Sequence, residues 1–222
     1  LPAIRPANAR FDGLYQVPTL EEIVRLVRAK EAQTGRRIGL YPELKHPNFL
    51  LQEAGIDMVD LLLSELERLG IEAADPVYVQ SFEVGVLRRL AQRSDFKLVQ
   101  LVKPDDGPAD EPAMRYLDMI APSGLAEIAQ YADGIGAHIG LVIGTDGAPS
   151  ALVSDARAAG LVVHAWTLRP ENAFLPPALR GTGGEAAHGN AATLREMLMR
   201  AGVNGIFTDA PALFGPISRA SP

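Results

Sequence analysis

Six short apolar segments, separated by stretches with helical periodicity, set the strongest limit on how this chain can fold. The predicted strands are Ile38–Tyr41, Val77–Phe82, Lys97–Lys103, Gly134–Ile143, Leu161–Leu168 and Val203–Thr208. Short buried strands that alternate with helices are typical of parallel βαβ units. No linker-like composition separates the segments, so we predict one α/β domain over residues 1–222.

The stretches between the strands carry helix signals. Thr19 and Glu22 form a capping-box pattern before a helix that ends near Gly35. Further helices are predicted over 51–69, after Ser81, over 113–133 with an interruption near 122–124, over 149–159 and over 192–201. A long polar loop, 169–190, is expected to rise beside the last strands and partly cover a pocket.

Two parallel architectures agree with this order of elements. A doubly wound nucleotide-binding sheet allows six strands, but the sequence has neither a Gly-x-Gly-x-x-Gly nor a Walker-type phosphate loop. A (β/α)₈ barrel needs eight strands and typically about 250 residues. The sequence is therefore two strand–helix units short of a complete barrel.

The composition argues against several classes of function. The chain has 21 Lys and Arg against 27 Asp and Glu, a formal charge of −6 and a single Trp, which does not favour nucleic-acid binding. No apolar run approaches the roughly 18 residues of a membrane span, so no membrane insertion is expected. Cysteine is absent, which excludes disulfide and thiolate chemistry within this sequence.

The clearest candidate site follows the first predicted strand. Glu43 and Lys45 are two residues apart, so on a strand they point to the same face, and Pro42 and Pro47 bracket them. A carboxylate suits a hard cation and an ammonium suits a phosphate. The simpler interpretation is a surface ion pair of little energetic value.

The aromatic and histidine candidates allow two interpretations. Trp166, at the end of the fifth predicted strand, is either core or a pocket wall. His164 either fills a barrel interior or binds a ligand. Packing is the simpler interpretation for His46 and His138, and a solvated position is the simpler one for His188.

Several segments together resemble a known family. The matches are Val17–Glu22, Tyr41–Pro47, Val79–Phe82, Tyr131–Gly136, His164–Arg169 and Ala201–Asp209, in the family's order along the chain. The sequence resembles the glycerophosphodiester phosphodiesterases of the bacterial exported type, which hydrolyse deacylated phospholipids. The resemblance implies a (β/α)₈ TIM barrel of which this chain holds strands three to eight.

The resemblance also implies roles for five residues. Glu43 would be one metal ligand of a divalent cation, Ca²⁺ or Mg²⁺. Lys45 would be the catalytic residue that contacts the phosphate. Gln80, Phe82 and Trp166 would bind the substrate, a small glycerophosphodiester that is cleaved to sn-glycerol 3-phosphate and an alcohol. The resemblance to exported proteins suggests a periplasmic or secreted location, and a cytoplasmic one stays open.

The sequence departs from the family in the catalytic histidines. The family's His-Arg-Gly, Glu-x-Asp and His-Asp segments have no counterpart in these 222 residues. We therefore expect little or no hydrolysis by this chain alone. The alternative is a non-catalytic barrel remnant that binds a phosphorylated ligand or a protein partner. A Schiff-base aldolase or isomerase agrees poorly with a Lys45 that stands beside Glu43 and His46.

Overall fold

A computed structural model describes residues 3–215 of the chain. Its strands are β1 Tyr78–Ser81, β2 Lys97–Val102, β3 Gly134–His138, β4 Val162–Leu168 and β5 Gly205–Thr208. Its α-helices are α1 Leu20–Thr34, α2 Pro47–Ala54, α3 Met58–Arg68, α4 Val84–Ala91, α5 Tyr116–Met119, α6 Pro122–Ile128, α7 Ile139–Val142, α8 Leu152–Ala158, α9 Ala191–Ala201 and α10 Pro211–Phe214. Short 3₁₀ helices span Pro6–Phe11, Asn172–Phe174 and Pro177–Leu179.

The five strands form one parallel sheet in the order in which they occur along the chain, β1-β2-β3-β4-β5. The register pairs Val79 with Leu98, Val99 with Gly134 and His164 with Gly205. Each strand therefore lies beside the next one in sequence, with a helical segment between them. All strands point the same way, so their carboxyl ends lie on one face.

The predicted first strand, Ile38–Tyr41, is a strand-like segment rather than a continuous strand. Leu40 forms an isolated parallel bridge with Val77, just before β1, and Glu43, beyond the predicted span, forms one with Gln80 on β1. The backbone N–H of Gln80 donates to the carbonyl of Pro42 at 2.9 Å, and that of Leu44 donates to the carbonyl of Gln80 at 2.9 Å. Pro42 has no N–H, so it cannot donate to the ladder at this point.

An aromatic cluster on the inner face of the sheet shows how strongly the sheet curls. The hydroxyl of Tyr41 lies 2.7 Å from Nδ1 of His164 on β4. The Tyr41 ring meets Phe207 on β5 edge-on, with centroids 4.8 Å apart, and stacks on Tyr78 at 5.4 Å. The first segment and the last strand thus face each other across the interior. The architecture is an α/β half-barrel of the TIM-barrel kind.

The helices cover the outer face of the sheet. Their apolar sides supply the core, where Leu87, Leu90, Leu125, Leu194 and Leu198 are at most 1% exposed. Burial of one such side chain stabilises the fold by about 2 kcal/mol. This arrangement leaves the strand ends, rather than the helices, to carry the polar residues.

Two predicted elements are divided in the structure. The helix predicted over 51–69 is split into α2 and α3, because Gly55 adopts φ 65° and Asp57 caps the new start by accepting from the Val59 N–H at 3.0 Å. The strand predicted over 134–143 ends at His138 and continues as α7. The Thr19 capping box is confirmed, with the Glu22 N–H donating to Thr19 Oγ1 at 3.2 Å.

The sheet of the half-barrel has two edges that pair on one side only within the described residues. Among the described residues, β5 pairs with β4 alone, and the segment at Leu40 and Glu43 pairs with β1 alone. Free strand edges recruit further strands. We expect the 222-residue chain to self-associate in light scattering as its concentration rises. A monodisperse monomer that melts cooperatively would contradict this prediction.

Candidate active site at the strand ends

One pocket lies where the strand ends converge, and we call it the strand-end pocket. It has a volume of about 280 Å³. Its lining residues come from the carboxyl ends of β1, β2, β4, β5 and the segment beside β1: Glu43, Lys45, Gln80, Phe82, Leu101, Trp166, Thr167, Phe207, Thr208 and Asp209. All five residues that the sequence proposed for the site are among them.

The charged pair at this pocket is Glu43 and Lys45. The Lys45 ammonium donates to a Glu43 carboxylate oxygen at 2.7 Å; the Lys45 side chain is 68% exposed and that of Glu43 is 21% exposed. Leu44 between them is buried, and its carbonyl accepts from the Ser81 hydroxyl at 2.9 Å. The pair contributes little to stability because water screens it. Its charges are therefore free to respond to a ligand.

Gln80 brings an unpaired amide to the same pocket. The residue is 8% exposed, and its Oε1 is buried without a hydrogen-bond partner among residues 3–215. A buried acceptor that lacks a partner costs about 1–3 kcal/mol. A turn of the amide toward the pocket would let a ligand hydroxyl donate to this oxygen and would remove that cost.

Two aromatic rings form one wall of the pocket, and hydrogen bonds to neighbouring elements hold both residues in place. Phe82 and Trp166 meet edge-on with centroids 5.7 Å apart, and the Trp166 indole N–H donates to the Gly136 carbonyl at 2.8 Å. The Phe82 carbonyl accepts from Gln100 Nε2 at 3.1 Å and from the Tyr116 hydroxyl at 3.2 Å. The sequence analysis did not predict that Gln100 supports the pocket. Its position as a lone amide within an apolar strand could have indicated such a role.

A second charged group tethers the rim of the pocket to the N-terminal segment. Asp209 Oδ2 accepts from Arg169 Nε at 2.5 Å and from Arg5 Nη1 at 3.2 Å. Arg5 also forms a bidentate pair with the buried Glu171, whose pKa this guanidinium lowers. Sequence reasoning did not assign these partners, because Arg5 and Glu171 are 166 residues apart.

None of the four histidines lines the strand-end pocket. His164 lies in the half-barrel interior against Tyr41, and burial lowers its pKa. His138 accepts from the Gly140 N–H at 3.1 Å and packs edge-on against Trp166, and burial lowers its pKa as well. Their environments keep both imidazoles neutral near pH 7.

The loop over 169–190 does not cover the pocket as the sequence suggested. No residue from 170–190 is among the lining residues, and the loop packs on itself around the buried Asn172. The Asn172 amide donates to the carbonyls of Gly181 and Gly184 at 3.1 Å each, and it accepts from the Gly181 N–H at 2.8 Å. Its polar composition therefore serves internal hydrogen bonding.

The described residues do not by themselves fit a divalent cation. Across 3–215, no group of three or more His, Asp or Glu side chains is placed to hold a metal ion. Glu43 is one carboxylate, and Lys45 occupies one of its oxygens. Calcium takes six to eight oxygen ligands, so this donor set is far from complete.

Comparison with known proteins identifies the family. The model described as "Glycerophosphoryl diester phosphodiesterase family" matches residues 3–213. The chain belongs to this family.

Curated relatives cover the chain almost end to end. The chain is 31% identical over 224 aligned residues to a glycerophosphodiester phosphodiesterase of Treponema pallidum, an alignment that covers 90% of the chain and 59% of that relative. It is 26% identical over 218 residues to the enzyme of the same name in Haemophilus influenzae, covering 89% of the chain and 57% of that protein. The chain thus spans less than two thirds of the length of these relatives.

Solved structures share the fold. A phosphodiesterase of Oleispira antarctica, in complex with its product sn-glycerol-3-phosphate, superposes with a TM-score of 0.56 at 19% identity, over 88% of the chain and 58% of that structure. A Silicibacter pomeroyi protein assigned as a glycerophosphoryl diester phosphodiesterase gives a TM-score of 0.57 at 22% identity, over 87% and 53%. At these identities the likeness concerns the fold.

Within residues 3–215, no helix combines the length and the apolar character that a membrane crossing requires.

The buried His164 should make stability depend on pH. Its pKa in the folded state lies below the ordinary 6.5, so below that pH the unfolded chain binds a proton that the folded chain resists. Stability is therefore lost as pH falls from about 7 toward the lowered pKa. We expect His164→Gln to reduce this decline in chemical denaturation curves measured between pH 7.5 and 5, and the part that remains to come from His138, whose pKa burial also lowers.

Tyr41→Phe is the matched control, because it removes the hydroxyl that faces His164 Nδ1 and leaves the imidazole in place. It should lower the free energy of unfolding by about 1 kcal/mol and keep the pH-dependent decline. A decline that His164→Gln leaves unchanged would show that another group causes it.

Proposed function

We propose that this chain is the ligand-binding part of a phosphoric diester hydrolase that acts on glycerophosphodiesters and yields sn-glycerol 3-phosphate and an alcohol. The observation that carries the proposal is the convergence of an ammonium, an unpaired amide and two fixed aromatic rings on one pocket at the strand ends. Family membership and the names of the relatives support the same reaction class.

Lys45 receives the phosphate in this proposal. A phosphodiester carries one negative charge, and the Lys45 ammonium is a point charge whose single acidic partner within the described chain is Glu43. When a phosphate approaches, Lys45 exchanges the Glu43 carboxylate for the phosphate as its anionic partner. The ammonium then stabilises charge that develops on the phosphoryl oxygens.

Gln80, Phe82 and Trp166 receive the glycerol. The buried Gln80 Oε1 lacks a donor within the described chain, and a glycerol hydroxyl supplies one once the amide turns toward the pocket. The rings of Phe82 and Trp166 lie at right angles, 88° between planes, and present apolar surface to the carbon backbone. The Oleispira phosphodiesterase binds sn-glycerol-3-phosphate, which makes this product the natural first probe.

Hydrolysis needs groups beyond those that line the pocket. General acid–base catalysis requires a side chain that titrates near neutral pH, and the lining residues include no histidine. We therefore propose that residues 3–215 bind the ligand but hydrolyse it little or not at all. The lack of histidine in this lining equally favours the alternative, a non-catalytic domain that binds a phosphorylated ligand.

The finer features of the family resemblance remain proposals. Assignment of the described sheet to strands three to eight rests on the order of the matching motifs. Export to the periplasm rests on likeness to the exported subfamily. Glu43 would contribute one oxygen ligand to Ca²⁺ or Mg²⁺, and the other ligands would come from water and from groups outside the described residues.

Product binding provides the direct test of the pocket. Trp166 is the single tryptophan, so its fluorescence reports on the strand-end pocket without interference. We expect titration with sn-glycerol 3-phosphate to change this fluorescence saturably. Lys45→Ala should weaken binding roughly tenfold because it removes a charge-assisted contact, and Gln80→Leu should weaken it about fivefold.

The matched control for charge is Lys30→Ala, on α1 and outside the lining residues. It should leave the Kd within about twofold of the parent value. Equal weakening by the Lys30 and Lys45 variants would mean that net charge, rather than a site, drives the interaction. A fluorescence signal that does not saturate would overturn the assignment of the pocket.

The cation proposal predicts weak binding to this chain. Of the two carboxylates that line the strand-end pocket, Asp209 is paired with Arg169 and Arg5, which leaves Glu43 for a cation. Calorimetric titration with Ca²⁺ should therefore give a Kd of about 1 mM or weaker. Because binding is weak, Glu43→Gln should reduce the measured heat of Ca²⁺ binding only slightly. A micromolar Kd that Glu43→Gln abolishes would show that the chain carries a complete cation site.

A further inference from the structure

A groove on the outer, helical side of the half-barrel is separate from the strand-end pocket, and we call it the α4–α6 groove. It has a volume of about 560 Å³. Its lining residues are Arg88, Ala91, Gln92, Glu127, Gln130 and Tyr131. They come from the carboxyl ends of α4 and α6, which lead to the amino ends of β2 and β3. The strand-end pocket lies at the other ends of the strands and shares no lining residue with this groove.

Arg88 brings to the groove a guanidinium that is oriented but not neutralised. The next residue, Arg89, pairs with Asp57, whereas Arg88 forms no salt bridge with any carboxylate of residues 3–215. The Arg88 guanidinium instead lies over the Tyr131 ring, 5.4 Å from its centroid. An aromatic face attracts a cation but leaves its N–H groups free to donate to an anion.

Tyr131 is anchored from the interior of the protein. Its hydroxyl donates to Oε1 of the fully buried Gln100 at 2.9 Å, and the Gln100 amide donates in turn to the Phe82 carbonyl at 3.1 Å. Burial raises the pKa of Tyr131, so the phenol keeps the proton that this bond needs. The ring beneath Arg88 is therefore fixed, which lowers the entropic cost of binding a ligand there.

The groove also holds a carboxylate without a partner. Glu127, on α6, lines the groove together with Arg88, but it forms no salt bridge within the described chain. The amides of Gln92 and Gln130 make no side-chain hydrogen bond in that part of the chain either. An anion would satisfy Arg88 but would meet the like charge of Glu127, and a cation would do the reverse. A ligand that carries both charges satisfies both groups.

A smaller space adjoins the groove, and we call it the methionine pocket. It has a volume of about 200 Å³, and Arg88, Glu127 and Tyr131 line both spaces. The other lining residues of the methionine pocket are Met114, Asp118, Met119, Ser123, Gly124 and Ile128. Methionine side chains adapt to apolar groups of different shapes. An apolar group can therefore be buried directly beside the two unpaired charges.

We propose that the α4–α6 groove and the methionine pocket together bind a free apolar α-amino acid. The ligand carboxylate pairs with Arg88, its ammonium pairs with Glu127, and its side chain enters the methionine pocket. An α-amino acid carries all three groups on one carbon, whereas a peptide terminus offers only one of the two charges. The proposal goes beyond the proposed function and does not depend on it, because it uses no residue that lines the strand-end pocket.

The experiment compares L-leucine with ligands that each lack one of its groups. Saturation-transfer NMR on the 222-residue chain would measure binding of L-leucine, of N-acetyl-L-leucine, which has no ammonium, and of L-leucinamide, which has no carboxylate. We expect a Kd of about 1 mM for L-leucine and about fivefold weaker binding, or less, for each derivative. Glycine, which has no apolar side chain, should also bind more weakly by about fivefold or more.

Two variants assign the charges of the ligand to their partners. Arg88→Gln should weaken L-leucine about tenfold and abolish its advantage over L-leucinamide, and Glu127→Gln should abolish its advantage over N-acetyl-L-leucine. Both side chains are exposed, so both variants should melt at the temperature of the parent chain. The matched control is Arg200→Gln, on α9 and outside both linings, which should leave the Kd within about twofold of the parent value.

Each outcome decides the proposal. Loss of the matching preference in each variant supports it. The absence of saturation transfer from L-leucine at up to about 10 mM, equal binding of L-leucine and its derivatives, or a preference that survives in either variant would overturn it. Displacement of L-leucine by sn-glycerol 3-phosphate would place leucine in the strand-end pocket and would overturn the proposal as well. Failure of sn-glycerol 3-phosphate itself to bind would instead count only against the proposed function.

Discussion

The contact of Tyr41 with the far side of the sheet is the constraint on which the site depends. Its hydroxyl reaches His164 on β4 and its ring reaches Phe207 on β5, although the segment that carries it lies beside β1. These contacts hold the sheet in a curl. A flatter sheet would carry the same residues at its strand ends but would spread Glu43 and Asp209 to opposite borders, so the pocket would not exist.

The helices and strands were easier to predict from the local sequence than the points at which the structure interrupts them. The ends of β1, β2 and β4 were predictable to within one residue, because polar residues such as Glu83 and Arg169 follow their apolar runs, whereas the end of β3 at His138 was not. The breaks followed from local chemistry that periodicity does not report: the missing N–H of Pro42, and the left-handed backbone of Gly55. Both residues were visible in the sequence, but their effect depends on neighbours that only the fold supplies.

Glu43, Lys45 and Trp166 were candidates on their positions alone, and the family resemblance added Gln80 and Phe82, but neither route pointed to the residues that hold them in place. Gln100 and Tyr116 fix the Phe82 carbonyl from two other elements, and Arg5 reaches Glu171 from the opposite end of the chain. Such contacts join residues distant in sequence and leave no spacing pattern.

The polar groups also occupy separate places in the fold. The imidazoles of His138 and His164 lie behind the aromatic wall and in the interior, whereas ammonium and amide groups face the strand-end pocket.

The tether between Arg5 and Asp209 has a consequence for chain connectivity. It places residues near both limits of the described chain within one side-chain network at the rim of the half-barrel. Regions that meet in space can be joined directly in a rearranged chain. A short linker between these two regions would allow the backbone to be opened in another surface loop, such as the exposed turn at 182–184, without moving a strand. The order of elements along the polypeptide is thus separable from the order of strands around the half-barrel.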